Sequence, residues 1–560
     1  MTAWAECAAL LIVITACTPY LGGYMAAVFQ DAPHPMRRLL GPLESGVYRL
    51  CRIDEHREMT WQVYLTAVVM LTAVSAVALF VLLRVQQWLP LNPQHFANLS
   101  PQLALNIAIS FATTTNWQAY SGETTLSYFS QMAGLAWQNF LAAAVGLAVA
   151  IAVIRGFTRS RGGTLGNFWV DLTRSLLYVL LPLSVAGALL LIWQGTPQNF
   201  SPYVVATTAE GAHQTITGGP IASQEIIKQL GVNGGGFVAA NSAAPNENPT
   251  PLTDLIQMVA MFLIGAALTN TFGRLVGSQR QGWMLFAVMA VLFVAGFAAV
   301  QAAEHAGNPL VHQLGVAGSN LEGKEQRFGD TSSGLSVTVA TDTSSGASNV
   351  AYDSLMPVST LAALVNMQIG EVIYGGVGSG LYGMILLAVL TVFIAGLMVG
   401  RTPEYLGKKI DRREILLVMF ASLVPALSIL VPAALALIPG LSAGDTGPHG
   451  FAEILYAFTS VSANNGSAMG GLNIQTTFYN IATAIVMLIG RFGTLGLALA
   501  LAGGLARKPR NDQTDGTFST ATPLFGALLG GTALIVAALT FLPADALGPV
   551  AEALMLHGPR

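Results

Sequence analysis

Charge is what this chain has least of. Only 9% of its 560 residues are Asp, Glu, Lys or Arg, while 53% are hydrophobic and the mean hydropathy is +0.59. A water-soluble domain carries about 25% charged residues. A soluble protein of this size is therefore excluded for want of polar surface, and lipid is the surround that accepts an apolar exterior. The net charge of −3 leaves no basic footprint for a nucleic-acid partner. Cysteine is scarce too: Cys7, Cys17 and Cys51 have neither metal-ligand spacing nor the makings of a disulfide framework. No Gly-x4-Gly-Lys-Ser/Thr loop and no Asp-Lys-Thr-Gly phosphorylation site occurs, and no nucleophile is set beside a base, so no catalytic site is expected on this chain. The apolar run Met1 to Phe29 contains a lipoprotein-like Ile14-Thr15-Ala16-Cys17 but lacks the basic start of a signal peptide, so it is expected to remain as a membrane helix.

Long apolar runs are what the chain has in quantity. A span needs about 20 mostly apolar residues, and ten candidates lie near 5–30, 61–85, 131–155, 170–194, 253–276, 282–302, 376–400, 414–438, 476–503 and 522–542. With the first helix starting outside, 19 of the 25 Lys and Arg fall in inner segments. Only Lys228, Lys324, Arg327 and Arg560 fall outside, and Arg84 and Arg491 lie in spans. The positive-inside rule then puts both termini outside.

The outer connections are long and rich in Gly, Ser, Thr and Asn. Four contain a helix-like run followed by small polar residues: Ala112-Thr-Thr-Thr-Asn-Trp-Gln118, Leu230-Gly-Val-Asn-Gly-Gly-Gly236, Thr343-Ser-Ser-Gly-Ala347 and Ser460-Val-Ser-Ala-Asn-Asn-Gly-Ser467. The markers Asn116, Gly234, Gly346 and Gly466 are 118, 112 and 120 residues apart. So even an interval predicts four repeats of helix, re-entrant loop, helix, with one further helix at each end. The expected fold is all-α and integral to the membrane, with residues 1–560 forming a single translocating domain. Within it, 1–60 is the first helix and inner loop, 61–165, 166–280, 281–410 and 411–510 are the repeats, and 511–560 is the last helix.

Irregular backbone survives at membrane depth only where it is buried or lines a watery cavity. A cation filter uses it in that way, replacing an ion's hydration shell with ringed carbonyl oxygens. Turning successive carbonyls toward one axis needs positive φ, which Gly adopts cheaply and Asn tolerates. The short helices aim their negative C-terminal ends at the same point. The loops themselves hold no Asp or Glu, although Asp342 adjoins the third. A carboxylate cage for Ca²⁺ or Mg²⁺ is disfavoured, and neutral carbonyls suit a large monovalent ion such as K⁺.

Two intramembrane features stand apart from the loops. Arg491, in Ile485-Val-Met-Leu-Ile-Gly-Arg-Phe-Gly-Thr-Leu495, is a charge near mid-membrane and is expected to be functional, as an electrostatic barrier below a filter. The stretch from Ile369 to Gly383 holds Glu371 among many glycines and should break its helix into a mobile gate. Its Gly378-Ser-Gly380-Leu-Tyr-Gly383 fits a dinucleotide fingerprint in form only, since no soluble strand precedes it. His305, His312 and His449 are expected to be solvated loop histidines without metal spacing, and Glu322-Gly-Lys-Glu325 a solvated turn.

Several of these segments resemble the KdpA family, the A subunits of potassium-transporting ATPases. They are Thr115-Asn-Trp-Gln-Ala-Tyr-Ser-Gly-Glu123, Asn233-Gly-Gly-Gly-Phe237, Asn241-Ser-Ala243, Glu322-Gly-Lys-Glu325, Gly370-Glu-Val372 through Gly383, Gly400-Arg-Thr-Pro-Glu-Tyr-Leu-Gly-Lys-Lys409, Ser462-Ala-Asn-Asn-Gly-Ser467 and Gly490-Arg-Phe-Gly-Thr494. The resemblance implies a K⁺-transporter fold and a bacterial inner-membrane complex with KdpB, KdpC and KdpF. KdpB there binds ATP and Mg²⁺ and hydrolyses ATP, while this chain carries K⁺ and passes it to KdpB. It also implies filter positions at Thr115, Asn116 and Gln118, at Val232, Asn233, Gly234 and Gly235, at Ser344, Ser345 and Gly346, and at Asn464, Asn465 and Gly466. Glu371, Ser379, Arg401 and Arg491 match its gating region. Val232 stands where Thr is frequent in the family and Ser345 where Cys is. The competing expectation is a Trk- or HKT-like K⁺ transporter that works without an ATPase partner.

Overall fold

The computed structural model describes residues 3–442, 444–511 and 518–557; Arg560, one of the outer charges, lies outside them. Ten helices in it are long and apolar enough to cross a membrane. They are Ala3–Phe29, Trp61–Trp88, Ser130–Thr158, Phe168–Trp193, Pro251–Leu275, Gln279–Gln313, Ser379–Val399, Arg412–Ala436, Thr477–Arg507 and Pro523–Leu556. Each coincides with a run expected from the sequence. The only strands among the described residues are two short antiparallel pairs, Val204–Thr207 with His213–Ile216 and Glu404–Tyr405 with Lys408–Lys409.

Helix starts follow the local sequence. Ser100, Thr250, Thr476 and Thr522 each accept a backbone N–H from the first turn they precede, and Pro101, Pro251 and Pro523 occupy first-turn positions where no N–H is needed. The spans divide by environment rather than by hydropathy. Ser130–Thr158 has 89% of its apolar window buried, against 17% for Trp61–Trp88, although both are strongly apolar. The first is the packed interior. The second turns Met70, Val74, Val77 and Val81 outward, as a lipid-facing helix does. Small residues let the inner helices close up: a Cβ on Gly156 would stand 2.7 Å from the Cα of Ala502.

Four shorter helices, Pro101–Ala112, Ile221–Leu230, Gly329–Asp342 and Gly447–Ala463, lie between the two spans of successive pairs. They have 12, 10, 14 and 17 residues, roughly 15–26 Å at about 1.5 Å per residue, too short for a core of about 30 Å. They are the pore helices of the expected repeats. In the third pair the second span is interrupted: Pro357–Gln368 is helical, residues 369–378 are not, and the helix resumes at Ser379.

Candidate functional site: a ring of four loops

Each pore helix delivers the chain into a segment of positive φ. The four markers read from sequence spacing all lie there, with φ of 52° at Asn116, 92° at Gly234, 62° at Gly346 and 95° at Gly466. Two residues earlier, Thr114 (66°), Val232 (50°) and Asn464 (63°) are positive as well, so three of the loops alternate in sign along the chain. That alternation turns successive carbonyls to one side. Val232 is a β-branched residue in a region such residues avoid, a local strain that the surrounding packing must hold.

The loops close on one another. A Cβ added to Gly235 of the second loop would meet Asn116 O of the first at 2.9 Å, and one on Gly234 would stand 1.4 Å from Ser345 O of the third. On Gly346 it would meet Asn465 O of the fourth at 2.5 Å, and on Gly466 it would meet Thr115 O of the first at 2.0 Å. The contacts run first to second, second to third, third to fourth and fourth back to first. The four loops thus form a closed ring in which glycine α-carbons abut neighbouring carbonyls and leave no space for a side chain.

Side chains brace the ring from behind. Asn465 donates Nδ2 to Ala340 O and Thr343 O, both at 2.9 Å, and its Oδ1 accepts from Ser467. Asn464 donates to Thr115 Oγ1 at 2.9 Å, tying fourth loop to first. Gln118 is not in the ring itself: it accepts from Gly236 N and donates to Gly236 O, both at 3.0 Å, and so clamps the outer end of the second loop. Asn116 Oδ1, both amide atoms of Asn233 and Ser345 Oγ are buried without protein partners.

Beneath the ring lies a cavity of about 130 Å³ lined by Ser344, Glu371, Ser379, Asn464 and Arg491 among others. Arg491 is 7% exposed and donates to Ala142 O at 3.1 Å. It has no carboxylate within ion-pair distance among the described residues. Glu371 is buried, accepts from Ser344 Oγ and keeps its other oxygen unpartnered. The break in the helix is as the glycines required: Gly370, Glu371, Tyr374, Gly376 and Gly378 all have positive φ. The broken segment is wedged rather than loose. A Cβ on Gly146 would meet Val377 O at 2.1 Å, and one on Gly265 would meet Tyr374 O at 2.0 Å. Arg401 is not brought here. It follows the far end of Ser379–Val399, a helix of 21 residues and so about 30 Å long.

Four charged side chains differ from the sequence reading, or were missed by it. Lys228, counted as an outer-loop charge, is fully buried in the second pore helix, 2.6 Å from Glu225 and 2.8 Å from Glu247. Glu247 also accepts Val238 N at 2.6 Å, so this triad holds the chain just beyond the second loop. Lys324 belongs to no solvated turn: its Nζ is buried 2.7 Å from Glu304. His449 is no solvated loop histidine either, being half-buried on the fourth pore helix between Asp353 and Glu552. Asp342, at the end of the third pore helix, is wholly buried with neither oxygen partnered. The available signal for Lys228 was its spacing from Glu225 on a pore helix; nothing in the sequence announces the partners that other segments supply.

Comparison with known proteins agrees with this architecture. A TrkH potassium transporter of Vibrio parahaemolyticus has a similar fold, with a TM-score of 0.55, 15% identity, and coverage of 87% of this chain and 97% of that one. The potassium-transporting ATPase potassium-binding subunit of Solibacter usitatus is 53% identical over 555 residues, covering 99% of this chain and 98% of its own. That of Mesorhizobium japonicum is 51% identical over 562 residues, covering 100% and 99%. The family described as potassium-transporting ATPase A subunit matches residues 8–554, and with a match of that length and relatives more than half identical, the chain belongs to that family.

Proposed function

We propose that this chain is the K⁺-binding and translocating subunit of an ATP-driven potassium importer, and that the ring of loops is its selectivity filter. The observation that carries the reading is the closed contact of glycines and carbonyls around all four loops, among residues with no ionised side chain. Thr115, Asn116, Val232, Asn233, Gly234, Gly235, Ser344, Ser345, Gly346, Asn464, Asn465 and Gly466 supply the oxygens or the room for them, and Gln118 fixes the second loop. K⁺ is the substrate. Carbonyl dipoles replace its hydration shell, and the C-terminal ends of the pore helices add negative potential.

The cavity below serves as a gate. The Arg491 charge opposes a cation moving straight down from the filter, while Glu371 and Ser379 on the broken segment offer oxygens to one side. Arg401, distant from both, stands outside this gate. ATP and Mg²⁺ are bound by a partner, KdpB, in a complex with KdpC and KdpF, seated in a bacterial inner membrane with both termini of this chain periplasmic. The competing reading, K⁺ transport by this chain without an ATPase, has only a fold likeness beside it, whereas the relatives more than half identical to this chain are subunits of potassium-transporting ATPases.

The deciding experiment is to purify the complex from native membranes on a tag at this chain and measure ATP hydrolysis against K⁺. Hydrolysis that rises with K⁺, and loses that dependence in Gly234→Asp, supports a filter coupled to a pump. No co-purifying ATPase, with K⁺ flux retained by the chain alone in liposomes, would instead make the chain a self-sufficient transporter.

A further inference from the structure

Away from the ring, three segments converge on one point beside the fourth pore helix. His449 and Glu453, four residues apart, lie one turn from each other on a single face of that helix. Asp353 comes from the short turn Tyr352–Ser354, beyond the third loop. One ligand-type atom from each of the three lies within 4.8 Å of the others. Glu552, in the terminal helix Ala551–His557, reaches His449 Nδ1 at 2.9 Å.

The hydrogen bonding here is unfinished in a directed way. Glu453 is 1% exposed and its Oε1 has no hydrogen-bond partner, which costs free energy in a buried carboxylate unless a proton or a cation satisfies it. Asp353 Oδ1 is likewise unpartnered by any hydrogen bond, and lies 3.4 Å from His449 Nε2. A Cβ on Gly471 would stand 2.0 Å from Glu453 Oε1 and 3.3 Å from Asp353 Oδ2, so the two carboxylates are pressed together under a backbone that admits no side chain. Three carboxylates surround one imidazole. Among the described residues no Lys or Arg pairs with any of them, so negative charge is left over even with the imidazole protonated.

We propose that His449, Asp353 and Glu453 form a binding site for a divalent first-row transition ion of the Zn²⁺ or Mn²⁺ type, with Glu552 as the support of the histidine. One imidazole and two carboxylates are a donor set such ions take. Bonds of about 2.0–2.1 Å in a tetrahedral shell imply ligand separations of roughly 3.3 Å, which the 3.4 Å between His449 Nε2 and Asp353 Oδ1 already matches. With an ion bound, the Glu552 contact would keep the proton on Nδ1 and Nε2 would be the ligand atom on the side of Asp353 and Glu453, the carboxylate–histidine–metal arrangement. The bound ion would join the third repeat, the fourth pore helix and the C-terminal helix outside the ion path.

The test uses the intact complex, purified on a tag without histidines, stripped with chelator and titrated with Zn²⁺ alone. Bound metal is read by mass spectrometry and thermal unfolding. About one Zn²⁺ per complex, retained through gel filtration and raising the unfolding temperature, is expected for the wild type. Glu453→Gln and Asp353→Asn should lose it. Glu552→Gln, which removes no ligand, should keep the fold and weaken binding by about 10- to 100-fold. Equal Zn²⁺ retention by the wild type and all three variants, or no retained Zn²⁺ and no shift in the wild type, would overturn the site and leave an ion-paired histidine.

Discussion

Replacing Gly234 by Ala is the smallest change that tests the ring. The added carbon would stand 1.4 Å from Ser345 O and 2.9 Å from Asn465 O, at a φ of 92°. Neither neighbour is a flexible side-chain tip; both are backbone carbonyls of other loops. Bringing the first contact out to about 3 Å requires the second and third loops to part by more than about 1.5 Å, and the left-handed backbone adds roughly 1–2 kcal/mol of strain. If one carbonyl is thereby lost to the ion, binding weakens by about 1.5–3 kcal/mol, the worth of a hydrogen bond to a charged group. That is about a 10- to 150-fold rise in half-saturating K⁺. The assay is K⁺-stimulated ATP hydrolysis of the purified complex, with Rb⁺ and Na⁺ run alongside to read selectivity. Gly470→Ala is the matched control, because nothing lies within 4 Å of a Cβ there, and it should behave as wild type. A Gly234→Ala complex with wild-type half-saturation and wild-type selectivity would refute the ring as the place where K⁺ is chosen.

Other consequences can be checked in the same preparation. Lys228→Met leaves Glu225 and Glu247 buried without their cation, so thermal unfolding should show a loss of about 3–5 kcal/mol, partly restored by adding Glu247→Gln. Arg491→Gln removes the buried charge from the cavity under the ring; K⁺ leak through the complex in liposomes without ATP should rise, and unchanged leak would remove Arg491 as a barrier. Glu44, on the surface helix Met36–Cys51, is desolvated, but hydrogen bonds from Tyr178, Tyr48 and Arg174 outweigh this and hold its carboxyl below the usual 4.5. A depressed carboxylate contributes stability above its unfolded value and loses it as pH falls through the folded one. Unfolding temperature should therefore drop below about pH 4.5, and less steeply in Glu44→Gln.

Spans and loops were legible for different reasons. Each span is a run of apolar residues long enough to cross lipid, a one-dimensional property, and all ten appear where the runs are. The loops were found through conformational demand. Gly and Asn recur at a near-constant interval because positive φ is required at the same place in each repeat, and the four residues marked by that interval all have positive φ. Val232 shows the limit of this logic: a valine at φ 50° cannot be foreseen from propensity, since the ring imposes it. Lys228, Lys324 and His449 show another limit. Their partners lie 19, 20 and 103 residues away at Glu247, Glu304 and Glu552, on segments brought together only by packing. A charge in a polar loop and a charge buried in a pair look alike in sequence.

The departures from fourfold likeness are concentrated in one quadrant. The first, second and fourth loops carry two positive-φ residues each, whereas the third carries only Gly346. The third repeat alone has its second span broken, at residues 369–378. It also brings Asp342, with no partner, to the end of its pore helix and Glu371, held by Ser344, to the cavity. Four identical loops would give an axial pore whose sides are equivalent, and an ion leaving the ring would have no reason to turn. A buried positive charge at Arg491 on the fourth repeat, with carboxylates and an interrupted helix on the third, breaks that equivalence in one direction. On the proposed reading, symmetry in the ring would serve to choose the ion and asymmetry beneath it to send the ion sideways, which a subunit handing K⁺ to a partner requires and a simple channel does not.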